Sequence, residues 1–167
     1  ADTGVPLEIN RHLHLPVFDA GIVLEGGSIE VNGRGTVLTT EQCLLNPNRN
    51  PTLDRREIEE TLALYLGVRR IVWLGEGLED DETDGHVDNL VCFCGPGTVL
   101  AATADDPADA NHAVLQDNLA RLRAAFRHHA ARVRKLLATL NCGHDTANSQ
   151  VGPGRRAGVD EGANLFE

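Results

Sequence analysis

The sequence predicts an α/β fold made of two successive units, each a β-hairpin followed by a helix. Residues 33–38 (GRGTVL) recur 62 residues later as residues 95–100 (GPGTVL), with five of six positions identical. Alternating apolar and polar residues lead into the first copy and a mostly apolar run into the second, as expected for strands. A helical spacing of apolar residues follows each copy. A repeat of this kind indicates one supersecondary unit used twice.

The first unit contains two strands, a helix and a third strand. The predicted elements are strand 28–32, strand 35–40, a helix that begins after Asp54, and strand 70–74. Asn32-Gly33 is a strong hairpin signal, because both central residues of such a turn need positive φ. Asp54 and Glu57 have the spacing of a capping box, and Gly67 fits the residue that ends the helix.

The second unit repeats the hairpin and the helix. The predicted elements are strand 87–94, strand 98–102 and a helix with Leu115, Leu119, Leu122 and Phe126 on one face. Residues 126–140 are rich in Arg, His and Ala, and we expect them to prolong that helix. Cys92 and Cys94 alternate with apolar residues in a strand, which predicts buried thiols.

Composition limits the classes of partner. The 167 residues fit a single domain in length. The net charge of −10 would repel a phosphate backbone, so we expect no nucleic-acid partner. No signal-peptide pattern and no apolar run of membrane-spanning length occur, so we expect no membrane partner and a cytoplasmic location. A homo-oligomer is compatible with the sequence.

Glu25, His86 and Asp88 occupy matching places in the two repeats. Glu25 precedes Gly33 by eight residues, and His86 and Asp88 precede Gly95 by nine and seven. Residues two apart on a strand share a face, so His86 and Asp88 are expected to point the same way, with Glu25 near them. The alternatives are that Glu25 is a solvated loop acid or helix cap and that His86 only satisfies a local hydrogen bond.

We expect no metal site. His12 and His14 have no third ligand at suitable spacing. The acidic run at residues 79–84 does not have the register of a calcium-binding loop, so a solvated acidic loop is favoured. The four cysteines do not have zinc-ribbon spacing.

Four motifs together resemble the agmatine deiminase family of guanidine-hydrolysing enzymes. They are residues 25–28 (EGGS), 44–51 (LLNPNRNP), 73–77 (WLGEG) and 83–89 (TDGHVDN). The resemblance covers residues 22–125 and implies the pentein fold, a five-bladed α/β propeller. Residues 1–140 would then be a partial catalytic domain with about two ββαβ blades of five.

The resemblance also implies roles for three residues. His86 corresponds to the general acid/base, Glu25 to the residue that orients it, and Asp88 to a carboxylate that binds the substrate guanidinium. It implies hydrolysis of agmatine to N-carbamoylputrescine and ammonia in putrescine biosynthesis. The implied mechanism is covalent, with a cysteine thiolate as nucleophile and no cofactor.

Two of the family's segments have no counterpart in this sequence. Asp2 lies too close to Glu25 to be the family's second guanidinium-binding aspartate, and Cys142 is not set in the glycine-rich segment of the family's nucleophile. We therefore expect an incomplete copy that is inactive alone, with a poorly ordered tail at residues 141–167. Two alternatives stay open: a bacterial-type protein-arginine deiminase, and a non-catalytic module that binds a guanidino ligand.

Overall fold

The computed structural model describes residues 4–95, 97–127 and 132–137 and has a mixed α/β architecture. Two three-stranded sheets are accompanied by helices. The strands are β1 (Glu30–Val31), β2 (Thr36–Thr40), β3 (Arg70–Leu74), β4 (Val91–Gly95), β5 (Thr98–Thr103) and β6 (Arg132–Leu137). The α-helices are α1 (Val5–Leu13), α2 (Glu41–Leu44), α3 (Arg55–Leu66) and α4 (His112–Phe126).

The predicted repeat is confirmed at the level of strand register. In each unit the first two strands are antiparallel, and the third is parallel to the second. Glu30 lies opposite Leu38 in the first hairpin, and Cys92 lies opposite Leu100 in the second. Cys92 lies 62 residues after Glu30, and Leu100 lies 62 residues after Leu38, the same interval that separates the repeated sequences. The described chain therefore contains two ββαβ units with one topology.

The expected extension of the second helix is wrong. Helix α4 ends at Phe126, and residues 132–137 form β6, which pairs in parallel with β5. A β5 strand without this neighbour would leave a row of backbone donors and acceptors without strand partners. Pairing with β6 supplies those partners and completes the second unit.

The first hairpin is formed as predicted, but its turn is different. The positive φ angles belong to Gly33 (66°) and Gly35 (89°), and Asn32 does not have one. The Asn32 side chain instead accepts hydrogen bonds from the backbone N–H groups of Arg34 (2.8 Å) and Thr36 (3.0 Å). Asn32 thus holds a four-residue loop through its side chain.

The first sheet is packed on both faces. Alternation along the strands directs Val37 and Trp73 towards α2 and α3, and Leu38 and Leu74 towards α4 and the second unit. The predicted capping box at Asp54 is present at the start of α3, and Gly67 ends it in the left-handed conformation. The predicted face of α4 is buried: Leu115, Leu119, Leu122 and Phe126. This packing fixes the two units against each other.

Cys92 and Cys94 are exposed, so the prediction that they are buried is wrong. They lie on the face of β4 opposite to Val91 and Phe93, which join the α4 core. The strand therefore has one buried face and one exposed face, where the sequence suggested burial on both.

None of the helices in the described ranges has the length and apolar character needed to cross a lipid bilayer. Asp2, Cys142 and the predicted tail at residues 141–167 lie outside the described residues.

Candidate functional site

Two short 3-10 turns lie side by side at one end of the sheets and carry the candidate residues. They are residues Gly26–Ser28 and Val87–Asn89. Thr39 donates its hydroxyl hydrogen to the carbonyl of Ser28 (2.8 Å), and Thr40 donates to the carbonyl of Gly85 (2.5 Å). Both hydroxyls are buried at the end of β2, so this strand holds the two loops together.

The second turn replaces the start of the predicted strand 87–94, and the first turn includes Ser28, the first residue of the predicted strand 28–32. The Ser28 N–H and hydroxyl both donate to the Glu25 carbonyl, at 3.0 and 2.6 Å, and the Leu90 N–H donates to the Val87 carbonyl at 3.0 Å. These local bonds replace strand pairing at the point where the chain enters each hairpin. His86 and Asp88 therefore do not lie on a strand, and the prediction that they share one strand face is wrong.

Glu25 and His86 nevertheless meet. His86 Nε2 lies 2.9 Å from Glu25 Oε2. The His86 side chain is 15% exposed and the Glu25 side chain 43% exposed, so the pair lies at the surface with its imidazole sheltered. An ionised carboxylate only accepts hydrogen bonds, so the neutral imidazole carries its hydrogen on Nε2 and leaves Nδ1 without one.

His86 and Asp88 converge over Gly27. A β-carbon placed on Gly27 would collide with His86 Nδ1 and would lie 2.7 Å from Asp88 Oδ2. Nδ1 and the Asp88 carboxylate therefore face one small space whose floor is a residue without a side chain. A histidine nitrogen and a carboxylate directed at one point are suited to hold a cationic group and to exchange a proton with it during a reaction.

Arg49 is the site residue that the sequence reasoning missed. Its Nε donates to Glu25 Oε2 at 2.7 Å, and its Nη1 lies 3.1 Å from Asp84 Oδ2. Its Nη2 donates to the Thr83 carbonyl at 2.8 Å and to Glu25 Oε1 at 3.4 Å. The side chain is only 9% exposed. Arg49 stands inside the 44–51 motif, and a charged residue at the centre of such a motif was the available signal.

The electrostatics of the site follow from these contacts. The hydrogen bond from Arg49, and then that from His86, lowers the pKa of Glu25 below its ordinary value. Hydrogen bonds from Asn48 and Arg49 lower the pKa of Asp84 in the same way. Both carboxylates are therefore held in the ionised form and are already paired with one internal guanidinium.

Asp88 differs from these two carboxylates. It is exposed, and within the described ranges it makes no hydrogen bond or ion pair. The acidic loop before it is internally bonded: Asp81 accepts from the Thr83 hydroxyl at 2.6 Å and from the Gly85 N–H at 3.0 Å. Asp88 is thus the carboxylate beside His86 that is available to a ligand.

Cys43 completes a cluster with Glu25 and His86 that has the donor types of a zinc site. One ligand atom from each lies within 4.8 Å of the others. However, Arg49 already places a positive charge 2.7 Å from Glu25 Oε2. Burial raises the pKa of Cys43 to about 11, which disfavours the thiolate that a metal requires. The burial of Cys43 and its raised pKa also argue against it as a nucleophile.

Comparison with known proteins identifies related sequences. Residues 1–150 match the family described as Porphyromonas-type peptidyl-arginine deiminase. An agmatine deiminase of Pseudomonas fluorescens SBW25 is 61% identical over 93 residues, which are 56% of this chain and 25% of the relative. An agmatine deiminase of Pseudomonas aeruginosa LESB58 is 52% identical over 131 residues, covering 78% of this chain and 34% of the relative. The chain thus spans about a quarter to a third of these relatives.

Solved structures of agmatine deiminases are also similar to this chain. The agmatine deiminase of Enterococcus faecalis has a TM-score of 0.69 and 40% identity, covering 78% of this chain and 36% of that one. A C315S agmatine deiminase of C. jejuni, described with substrate bound, has a TM-score of 0.71 and 31% identity. It covers 81% of this chain and 40% of that one.

Proposed function

The chain belongs to the Porphyromonas-type peptidyl-arginine deiminase family, and on that premise we propose that it carries the acid/base half of an agmatine deiminase site. The observation that carries the proposal is the approach of His86 to Glu25 at 2.9 Å, with Nδ1 and Asp88 converging over Gly27. The reaction is hydrolysis of agmatine to N-carbamoylputrescine and ammonia.

Asp88 is proposed to bind the substrate guanidinium. This planar cation is gripped by a carboxylate through paired charge-assisted hydrogen bonds. Glu25 and Asp84 are already occupied by the guanidinium of Arg49, whereas Asp88 has no partner among the described residues. The position of Asp88 beside His86 Nδ1 would place a guanidinium nitrogen next to the proton donor.

His86 is proposed to move protons in both halves of the reaction. A thiolate attacks the guanidinium carbon, and the protonated imidazole gives its Nδ1 hydrogen to the departing nitrogen, which leaves as ammonia. The neutral imidazole then takes a proton from water, which attacks the covalent intermediate and releases the urea-type product with the thiolate. Glu25 stabilises the charged imidazolium from the opposite ring nitrogen.

The nucleophile is not supplied by the described cysteines. Cys43 is buried and has a raised pKa, and Cys92 and Cys94 lie on the exposed face of β4. The described residues therefore provide proton transfer and guanidinium binding but no competent thiolate.

We propose that the two ββαβ units are blades of a five-bladed pentein propeller. A cytoplasmic location and a homo-oligomer remain predictions from the sequence.

A protein-arginine deiminase is the second candidate, and the description of the matched family favours it. The same acid/base pair and carboxylate would serve either substrate, because both present a guanidinium. The curated relatives described above are agmatine deiminases, so agmatine is our first choice.

Calorimetry together with an ammonia assay tests the proposal against a binding module. A module that only holds guanidino ligands is expected to bind agmatine tightly and saturably without turnover. The residues that the structure describes offer one guanidinium carboxylate and no competent thiolate, so we expect neither tight binding nor ammonia release. Saturable tight binding of agmatine, or tighter binding of an arginine-containing peptide, would contradict the assignment.

A further inference from the structure

Arg49 has no role in the proposed reaction, although it is the most thoroughly bonded side chain of the site. All three guanidinium nitrogens are engaged. Nε and Nη2 reach the two oxygens of Glu25, and Nη1 reaches Asp84 Oδ2 at 3.1 Å and Asn48 Oδ1 at 3.2 Å. A charged group that is 91% covered needs such partners, because an unpaired buried charge is costly.

The contacts to Glu25 form a fork. Two nitrogens of one planar group face two oxygens of one carboxylate, at 2.7 and 3.4 Å. A fork fixes the plane of the carboxylate as well as its position, which a single point charge cannot do. The orientation of Glu25 decides where Oε2 lies relative to His86 Nε2.

Arg49 also joins the two loops that carry the site. Through Glu25 it contacts the loop before the first 3-10 turn, and through Thr83 and Asp84 it contacts the loop before His86. The distance between Glu25 and His86 is therefore set from both sides by one side chain.

We propose that Arg49 is a positioning residue that orients Glu25 so that His86 is held in a single tautomer, with Nδ1 facing Asp88. This role rests on the proposed function, in which Nδ1 exchanges protons with the substrate. It does not require Arg49 to touch agmatine. Without the fork, the Glu25 carboxylate is free to rotate away, and the neutral imidazole can carry its hydrogen on either nitrogen.

The test is nitrogen-15 NMR of the His86 imidazole in the full chain, in Arg49→Gln, in Arg49→Lys and in Arg56→Gln. Arg56 is a matched control, since it is an exposed arginine paired with Glu60 at 2.7 Å on α3. His86→Gln assigns the resonances, and circular dichroism checks that each variant is folded. The readout uses no substrate, so it is independent of the outcome of the agmatine assays.

We expect a single neutral tautomer with the hydrogen on Nε2 in the parent and in Arg56→Gln. Both Arg49 variants are expected to lose it and give a tautomer mixture. Lysine keeps the positive charge but cannot form the fork, so Arg49→Lys separates the effect of the charge from the effect of the fork. It also tests the proposal if Arg49→Gln does not fold. A parent-like single tautomer in Arg49→Lys would overturn the proposal, as would a mixture in the parent.

Discussion

His86 Nε2 lies 2.9 Å from Glu25 Oε2, although 61 residues separate the two in sequence. Glu25 stands before the first repeated hairpin and His86 before the second, so the contact is made between equivalent ends of two ββαβ units. A 3-10 turn follows each residue, and β2 ties the two loops together through hydrogen bonds from Thr39 to Ser28 and from Thr40 to Gly85. The pairing is thus a product of the repeat.

The first prediction concerns Gly27. Gly27→Ala would place a β-carbon 2.7 Å from Asp88 Oδ2 and in collision with His86 Nδ1. Forced contacts of this kind cost about 1–3 kcal/mol in folding free energy. We expect a lower urea midpoint and shifted His86 resonances. Gly26→Ala is the control, because a β-carbon there meets nothing within 4 Å. Equal effects of the two substitutions would refute this description of the site.

The second prediction concerns acid stability. Hydrogen bonds from Arg49 and His86 lower the pKa of Glu25. Its carboxylate therefore stabilises the fold fully only when the pH is above 4.5, the ordinary pKa of a glutamate. This contribution is lost as the pH falls from that value through the lowered pKa of the folded state. The difference in unfolding free energy between the parent and Glu25→Gln should therefore shrink below about pH 4.5. Urea unfolding at a series of pH values measures it.

The exposed acid Glu82 provides the control for that series. Glu82 forms no ion pair among the described residues, so Glu82→Gln should have only a small effect on the free energy of unfolding. If the difference in unfolding free energy between the parent and Glu25→Gln stays constant with pH, the Glu25 anion does not stabilise the fold.

The repeat and the main elements were readable from the sequence because they depend on local spacing. The capping box at Asp54, the end of α3 at Gly67 and the strand at residues 70–74 needed only short-range signals. The matching positions of Glu25 and His86 also followed from counting along the two repeats. Their contact was predicted, although the geometry that produces it was not.

The remaining features depend on contacts between distant parts of the chain. Arg49 meets Glu25 and Asp84 only after both loops are folded, so its place in the 44–51 motif marks it as a candidate but does not reveal these partners. The 3-10 turns arise because backbone and Ser28 hydroxyl groups compete with strand pairing. Residues 132–137 were expected to prolong the second helix, and their pairing with β5 is a contact between distant parts of the chain.

The third prediction concerns thiol reactivity. Cys43 is fully buried and its pKa is raised to about 11, whereas Cys92 and Cys94 are exposed. Partial burial also raises the pKa of Cys92, so the difference rests on access: iodoacetamide at neutral pH should modify the exposed Cys92 and Cys94 well before the buried Cys43. Peptide mass spectrometry over time measures the order. Rapid modification of Cys43 that agmatine protects against would instead identify it as the nucleophile.

The fourth prediction is that this chain alone does not release ammonia from agmatine. None of the described cysteines provides a thiolate beside His86 and Asp88, and loss of a nucleophile costs many orders of magnitude in rate. An ammonia assay with excess agmatine measures turnover. Robust turnover that Cys142→Ser abolishes would show that the nucleophile lies outside the described residues and that we wrongly dismissed it.

We propose that this chain supplies the acid/base pair and one guanidinium carboxylate of an agmatine deiminase. The most direct measurement is kcat/KM for agmatine in a chimera, with residues 22–125 replacing the matching segment of the Pseudomonas aeruginosa relative. We expect an active chimera that His86→Asn or Asp88→Asn weakens by at least about 100-fold, while the neighbouring Glu82→Gln leaves it unchanged. An active chimera that tolerates His86→Asn would show that His86 is not the acid/base residue.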